Sequence, residues 1–298
     1  MTDQSLGKAT TMTSKVKVAC VQMHPRIGDK AANLANSIAS IERAAEAGAQ
    51  LVVLPELANT GYVFESREEV FLLAEEVPAG PTCQAWLEVA QRLGVTLVAG
   101  IAERQGDALY NAAVVIGPAG YIGTFRKVHL WNAENLFFEP GNLGFPVFKT
   151  PLGRIGVAIC YDIWFPETFR LAALKGADIV CVPTNWVPIP GQVPGREAMA
   201  TVLAMAAAHS NSLFIACADR VGTERGQPFE GQSVIVGCTG WPVAGPASRD
   251  DEEIVLAEVD LGQARRARNW NAFNQVLRDR RTDVYDEMLG SKESPSWY

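Results

Sequence analysis

The sequence predicts a mixed α/β (α+β) protein, a four-layer αββα sandwich in which two mixed β-sheets stack face to face beneath outer helices. Ten short β-rich runs recur along the chain, which is a large number for one flat sheet. Many of these runs are apolar on both faces, as buried strands are. The segments between several of them are apolar on one side only, which is typical of helices packed on a sheet.

Turn residues separate the predicted strands from one another. In chain order the strands span 16–22, 50–55, 95–101, 111–117, 121–127, 154–160, 177–183, 212–218, 233–238 and 253–260. The first helix is predicted over 30–47, with Asp29 as its N-cap. Its apolar face carries Leu34, Ile38, Ile41 and Ala45. Similar stripes predict helices over 83–93, 168–175 and 196–209.

The overall charge favours small-molecule chemistry over binding to nucleic acid or to an anionic membrane surface. The 298 residues carry a formal net charge of −7, whereas both of those partners select clustered Lys and Arg. No apolar run approaches the roughly 20 residues that cross a bilayer. The first 15 residues lack the apolar stretch of a secretory signal. We therefore expect a cytoplasmic protein with a flexible tail over 1–15, a catalytic domain over 16–262 and a C-terminal arm over 263–298.

Four of the six cysteines are expected in the core, and one is expected to react. None of the six forms a CxxC pair. Cys20, Cys181, Cys217 and Cys238 lie in apolar strand-like runs, where a thiol is ordinarily inert. Cys160 lies where a strand gives way to polar and aromatic residues. If it is a reactive thiol, we expect its pKa to be depressed.

Three polar residues stand at the downstream ends of apolar strands, where open sheets commonly place active groups. Glu56 follows QLVVLP, Lys127 closes YIGTFRK and Cys160 closes RIGVAIC. Each alone is compatible with an ordinary loop carboxylate, a solvated lysine or a core thiol. Together they could attack an acyl carbon, with the thiolate as nucleophile, the carboxylate as proton carrier and the ammonium facing the oxyanion.

The segments around these residues carry a more specific signal. PELANTGY (55–62), RKVHLW (126–131) and CYDIWFPE (160–167) occur in this order. They resemble the three signature segments of the nitrilase superfamily of carbon-nitrogen hydrolases, closest to its amidase-type branches. The similarity extends from about Val16 to the RRTDVY segment that ends at Tyr285.

The resemblance implies a role for each matching residue. Glu56 matches the general base, Lys127 the oxyanion stabiliser and Cys160 the nucleophile. A second glutamate of the family matches Glu134, seven residues before Gly141. Glu139 lies nearby, and the reading of Glu134 as a surface carboxylate stays open. The resemblance also implies an αββα fold, no cofactor and a homodimer or larger homo-oligomer, with the C-terminal arm reaching the partner subunit.

Rival chemistries have less support in the sequence. A Cys160–His129 dyad is compatible with the spacing, because His129 and Lys127 point to the same side of an extended chain. No HExxH motif, cysteine pair or three-histidine set predicts a metal site. The glycines of GPAGYIG (117–123) fit neither GxGxxG nor a P-loop. A catalytically silent binding protein on the same fold would be expected to lack one of the catalytic residues.

The expected reaction is hydrolysis of a small carboxamide to a carboxylic acid and ammonia through a Cys160 thioester. The alternatives are a nitrilase and an N-carbamoyl amidase. Nitrilases of this family typically have Trp-Glu after the cysteine, where this chain has Tyr161 and Asp162. A carbamoyl amino acid favours an Arg fork, and no arginine follows Cys160 before Arg170. An apolar pocket with a few polar anchors is expected from Tyr62, Trp131, Tyr161, Trp164, Asn185 and Trp186.

Overall fold

The computed structural model describes residues 15–193 and 195–289. Their strands form two six-stranded sheets and a two-stranded hairpin. The first sheet, in spatial order, consists of β14 (Glu253–Asp260), β1 (Lys15–Gln22), β2 (Leu51–Val53), β3 (Thr96–Gln105), β4 (Ala108–Gly117) and β5 (Gly120–Arg126). Strand β2 is parallel to both of its neighbours, and the other pairs are antiparallel.

The second sheet repeats this mixed arrangement, with β8 parallel to both neighbours. In spatial order it consists of β13 (Pro242–Ala244), β12 (Val234–Val236), β9 (Phe214–Ala218), β8 (Ile179–Pro183), β7 (Arg154–Val157) and β6 (Val147–Lys149). The separate hairpin pairs β10 (Thr223–Glu224) with β11 (Gln227–Pro228).

Helices follow six of the fourteen strands in the described part of the chain. They are α1 (Lys30–Glu46), α2 (Arg67–Leu73), α3 (Pro81–Leu93), α4 (Glu134–Phe137), α5 (Pro166–Leu174), α6 (Met199–Asn211), α7 (Gly262–Arg266) and α8 (Thr282–Leu289), with a 3₁₀ helix at Cys160–Trp164. The predicted cap of α1 is confirmed, because the Asp29 side chain accepts a hydrogen bond from the Ala32 backbone N–H at 3.1 Å.

Two apolar cores hold the layers together and confirm the predicted sandwich. One core joins both sheets, with Val53 and Val115 of the first in the same cluster as Val180 and Ile215 of the second, and it continues under α5 and α6. The other lies between the first sheet and helices α1 and α3, where Trp86 is fully buried. The order of layers is therefore helix, sheet, sheet, helix.

Some predicted strands are longer than the observed ones. The run 154–160 is strand only to Val157, and the run 50–55 is strand only over Leu51–Val53. In both cases the apolar residues continue past the last sheet pairing, because the loop that carries the polar residue is itself buried. Apolar content thus marks burial, while pairing decides where the strand ends.

The predicted chain ends lie partly outside the described residues. Outside the described residues lie 1–14 of the expected tail and 290–298 of the expected arm. Lys15, the last residue of the expected tail, is already part of β1. The start of the arm packs on its own chain, since Ala264 is fully buried and the Arg268 guanidinium donates to the Ala177 carbonyl at 3.0 Å. Within 15–193 and 195–289, no helix has the length and apolarity to cross a membrane.

Candidate active site

Glu56 lies just beyond β2, on a loop pressed against the neighbouring strand. The close approach requires glycine at position 100, where a Cβ would come within 2.3 Å of the Pro55 carbonyl oxygen and 2.5 Å of the Glu56 Cα. The next residue, Leu57, has a φ of +49°, a backbone conformation that costs free energy. The buried loop thereby fixes the direction of the Glu56 carboxylate.

Lys127 follows β5 and is fully buried between two carboxylates. Its Nζ donates to Glu56 Oε1 and to Glu134 Oε1, both at 2.7 Å. Gly141 lets the returning chain pass this strand end, since a Cβ there would lie 2.1 Å from the Arg126 carbonyl oxygen. An ammonium held by two anions stays charged, and its remaining hydrogen can face a third group.

Glu134 begins α4, and its side chain is 4% exposed. Besides the lysine, its Oε1 accepts a hydrogen bond from the Tyr62 hydroxyl at 2.7 Å, and its Oε2 accepts one from the Trp131 backbone N–H at 3.3 Å. The neighbouring Glu139 instead lies at the surface and pairs with Arg67. Glu134 therefore occupies the position beside Lys127.

Cys160 begins the 3₁₀ helix with a φ of +43°, in the left-handed region. The turn is tied by Asp162, whose carboxylate accepts the Ile159 backbone N–H at 2.9 Å and the His129 backbone N–H at 3.0 Å. This bend takes the sulfur out of the strand direction, and the residue retains 7% exposure. A strained residue at the start of a helix is a common device for presenting a nucleophile.

Burial and neighbouring charge set the pKa values of these groups. Burial raises the pKa of Glu56 to about 7, against the lowering effects of Lys127 and of the hydrogen bond from Asn111. Burial alone would lower the pKa of Lys127, but the Glu134 and Glu56 carboxylates raise it above its ordinary value. At neutral pH the lysine is thus charged, while Glu56 exchanges its proton readily.

The expectation of a depressed pKa at Cys160 is wrong. Burial and the nearby Glu56 carboxylate raise the pKa of the thiol well above its ordinary value, and the attraction of Lys127 only partly opposes this. The resting sulfur is therefore protonated, and reaction requires a base that removes the proton as the sulfur attacks. Glu56 Oε2 is buried and has no hydrogen-bond partner among the described residues.

His129 is engaged away from this role. Its Nδ1 lies 2.7 Å from Asp162 Oδ1, and its ring stacks on Phe165 at 3.6 Å between centroids. These contacts join the loop after Lys127 to the 3₁₀ helix, which favours a supporting histidine over a Cys–His dyad. The described residues contain no group of three or more His, Cys, Asp and Glu side chains suited to a metal ion.

A cavity of about 270 Å³ opens over the sulfur. Five of the six residues expected to contact substrate line it: Trp131, Tyr161, Trp164, Asn185 and Trp186. Val187 and Ile189 complete the apolar part of the lining. Tyr62 instead lines an adjoining cavity of about 490 Å³ with Glu134, and Trp131 and Val187 border both spaces. One cavity therefore reaches the sulfur and the other reaches the second glutamate.

Sequence reasoning missed one residue that supports Glu56, and it assigned another, Asn185, to substrate contact. Asn111, at the start of a predicted strand, donates to Glu56 Oε1 at 2.7 Å, and Asn185 donates to the Glu56 backbone carbonyl at 2.9 Å. The one available signal was an Asn in a run that is otherwise apolar on both faces. Glu224, which contacts the Tyr62 loop, gave no signal at all in the sequence.

Comparison with known protein families gives a match over most of the chain. The family model described as carbon-nitrogen hydrolase matches residues 17–269. A protein from Pyrococcus abyssi named nitrilase is 46% identical over 272 residues, which cover 91% of this chain and 99% of that protein. An N-carbamoylputrescine amidase from Solanum lycopersicum is 35% identical over 280 residues, covering 88% of this chain and 91% of that protein.

Solved structures include similar folds. An amidase from Nesterenkonia sp. AN1 superposes with a TM-score of 0.74 at 26% identity, covering 92% of this chain and 96% of that chain. The structure of that amidase, in a mutant form, shows covalent addition of the acetamide moiety of fluoroacetamide at its active site cysteine. The likeness extends to the two mixed sheets and their helices, and not to the hydrolase motifs alone.

Proposed function

Because the chain belongs to the carbon-nitrogen hydrolase family, which acts on C–N bonds other than peptide bonds, we propose that it converts small uncharged carboxamides into carboxylic acids and ammonia. The observation that carries the proposal is one lysine nitrogen 2.7 Å from two buried carboxylates, beside a cysteine that opens into an apolar cavity. Nucleophile, base and oxyanion partner are then all supplied by the chain.

In the acylation step, Glu56 removes the Cys160 thiol proton while the sulfur attacks the amide carbon. The new C–S bond forces negative charge onto the amide oxygen, which Lys127 and the Tyr161 backbone N–H stabilise. That N–H lies in the first turn of a 3₁₀ helix, where helix geometry provides no acceptor. The proton on Glu56 then passes to the nitrogen, the C–N bond breaks, and ammonia leaves a thioester on Cys160.

In the deacylation step, the regenerated Glu56 carboxylate takes a proton from water as the water oxygen attacks the thioester carbon. The C–S bond breaks, the acid departs, and Glu56 returns its proton to the sulfur. A base with a pKa of about 7 suits both steps, because it accepts and releases a proton with similar ease near neutral pH. Glu134 holds Lys127 in place through the 2.7 Å hydrogen bond.

The cavity lining supports a neutral acyl group. Around the sulfur, the described lining consists of aromatic and aliphatic side chains and one amide, with no Arg, Lys, Asp or Glu. A charged group placed there would lose its hydration without gaining a partner, at a cost of several kcal/mol. The rings of Trp131, Trp164 and Trp186 border this space, which suits a small acyl group.

Butyramide is expected to be turned over with a kcat/KM at least about 100-fold higher than that of succinamate, the amide of similar length that ends in a carboxylate. We also expect butyramide to exceed butyronitrile, which has the same chain. The rate of ammonia release from these three compounds measures the ranking of kcat/KM. N-carbamoylputrescine is assayed beside them as a carbamoyl compound.

Other outcomes of this comparison point to other functions. Faster turnover of butyronitrile would favour a nitrilase, which is the name of the Pyrococcus relative. Faster turnover of N-carbamoylputrescine would favour an N-carbamoylputrescine amidase, which is the name of the Solanum relative. No turnover of any compound would favour a silent binding protein, although Glu56, Lys127, Cys160 and Glu134 are all retained.

Activity is expected to decline in acid with a midpoint at pH about 7, because the Glu56 carboxylate must be ionised to take the thiol proton. The hydrogen bond from Asn111 lowers the pKa of Glu56, so Asn111→Leu should move the midpoint of kcat/KM to higher pH. The buried Asn211, in α6, provides the control variant Asn211→Leu, which should leave the midpoint unchanged. A wild-type midpoint near that of an ordinary glutamate would contradict the assignment.

We further propose that the protein works as a cytoplasmic homodimer or larger homo-oligomer. Large apolar side chains are exposed on the outer helices: Leu171, Leu174, Met199 and Val202. The six cysteines are all unpaired in the described part of the chain, which suits a reducing compartment.

A further inference from the structure

Glu224 lies outside both cavities, yet it binds the loop that carries Tyr62. Its Oε2 accepts hydrogen bonds from the backbone N–H groups of Tyr62 and Val63, at 2.8 and 2.7 Å. Its Oε1 accepts a hydrogen bond from the Arg220 guanidinium at 3.0 Å. One carboxylate at 5% exposure thus orders two successive peptide units of a distant segment.

Arg220 fixes the position of the Glu224 carboxylate through a hydrogen bond to Oε1. The arginine is fully buried two residues after β9. Its other terminal nitrogen donates to the Pro25 carbonyl at 2.7 Å, and its guanidinium lies 4.1 Å above the Phe229 ring. A buried arginine with these contacts has little freedom to follow a moving partner. Glu224 is therefore held on its own side before it binds the loop.

The β10–β11 hairpin binds the same loop at one further point and also binds helix α2, which follows the loop. Its turn residues Arg225 and Gly226 have φ values of +48° and +85°, as a tight two-residue hairpin turn requires. The Arg225 guanidinium donates to the Val63 carbonyl at 2.8 Å and pairs with Glu69 of α2. Backbone N–H and C=O groups of the loop are thus both bound by this hairpin region.

The loop in turn places a hydroxyl on the proposed catalytic machinery. The Tyr62 ring packs edge-on against Phe229, with 6.0 Å between centroids, and its hydroxyl donates to Glu134 Oε1 at 2.7 Å. The same Glu134 oxygen accepts from Lys127 at 2.7 Å. A shift of the Tyr62 backbone would therefore reach the lysine through a single shared oxygen.

We propose that Glu224 is a positioning residue that fixes Tyr62, so that the Tyr62 hydroxyl holds Glu134 in place on Lys127. The inference rests on the proposed function, since Lys127 and Glu134 act there, and it gives Tyr62 a positioning role in place of a direct contact with substrate. Glu224 touches neither substrate nor reacting atoms. Its effect is expected in kcat, because an oxyanion partner misplaced by about 1 Å costs up to about 100-fold in rate.

Glu224→Gln tests this role. If the amide oxygen of Gln accepts from the Tyr62 and Val63 N–H groups, the amide NH₂ must face the Arg220 guanidinium, and two donors then meet. The variant therefore cannot keep both sets of hydrogen bonds that Glu224 makes. We expect kcat for butyramide to fall about 10- to 100-fold with KM changed by less than about threefold.

Glu75→Gln is the matched control. Glu75 is 4% exposed, pairs with Lys30 and accepts two hydrogen bonds from Thr82, but none of its described contacts reaches Tyr62. Its replacement should reduce thermal stability to a similar degree and leave kcat within about twofold. Equal kcat losses in the two variants would overturn the proposal.

A double-variant cycle separates positioning from general disruption. If Glu224 acts through the Tyr62 hydroxyl, Glu224→Gln should lower kcat no further once Tyr62→Phe is present. If the two substitutions instead lower kcat by the product of their separate effects, the proposal is overturned. It is also overturned if the loss of kcat/KM in Glu224→Gln comes entirely from a higher KM, because Tyr62 would then have a role in substrate binding.

A crystal structure of Glu224→Gln provides a readout that needs no substrate. We expect the Tyr62 hydroxyl to lie more than 3.5 Å from Glu134, and a distance unchanged from 2.7 Å would contradict the inference. Failure of every amide in the assay, with the hydroxyl displaced as expected, would refute the proposed function and leave the positioning intact.

Discussion

Replacing Glu56 with Gln is expected to lower kcat by about 10³- to 10⁴-fold, because the same carboxylate moves the proton in acylation and in deacylation. The dependence is strong in this protein because the pKa of Cys160 is raised, so that little thiolate exists before the base acts. Gln preserves the size of the side chain and can still accept from Asn111 and Lys127. Lys127 keeps Glu134 as a charged partner in this variant, so the loss should appear mainly in kcat.

His129→Asn is the control for this prediction. His129 is held by Asp162 and stacked on Phe165, so its loss should leave most of the turnover. Steady-state kinetics on butyramide with both variants compare the two proposed bases directly. A larger loss from the histidine than from the glutamate would transfer the base role to His129.

Replacing Lys127 with Met is expected to lower kcat by about 10³-fold, because the oxyanion loses its charged partner in a buried setting. The variant should also unfold more easily. Glu56 and Glu134 would face each other without the cation that now lies 2.7 Å from each, and breaking a buried ion pair in this way costs about 3–5 kcal/mol. Activity and the free energy of unfolding should be measured on the same preparation.

The double variant Lys127→Met with Glu134→Gln separates the two effects. Removing one of the two facing carboxylates should recover part of the free energy of unfolding, while turnover stays as low as in Lys127→Met alone. Recovery of turnover together with stability would mean that Lys127 has only a structural role.

The layers of the fold could be predicted from the sequence because buried faces of strands and helices consist mainly of apolar residues. Strands apolar on both faces and helices apolar on one face admit few arrangements. The ends of elements were less accessible, and Cys160 illustrates the reason. Its preceding residues Ala158 and Ile159 are as apolar as those of β7, yet they lie past the strand in a buried turn whose shape depends on Asp162.

The candidate site was predictable only where function leaves a local motif. Glu56, Lys127 and Cys160 each lie within a recognisable segment. The contacts of Glu224 with the Tyr62 loop join residues about 160 positions apart, and no local pattern encodes such a pairing. The raised pKa of Cys160 was likewise not predictable, because it depends on the depth of burial and on a carboxylate contributed by another segment.

The covalent intermediate is the most direct test of the account. Wild-type protein and Glu56→Gln should be quenched in acid during incubation with butyramide and then examined by mass spectrometry of the peptide that carries Cys160. We predict one butyryl group on that cysteine, absent from Cys160→Ala. Release of butyrate by the wild type with Cys160 unlabelled in both proteins, or with the label on another residue, would contradict a thioester route.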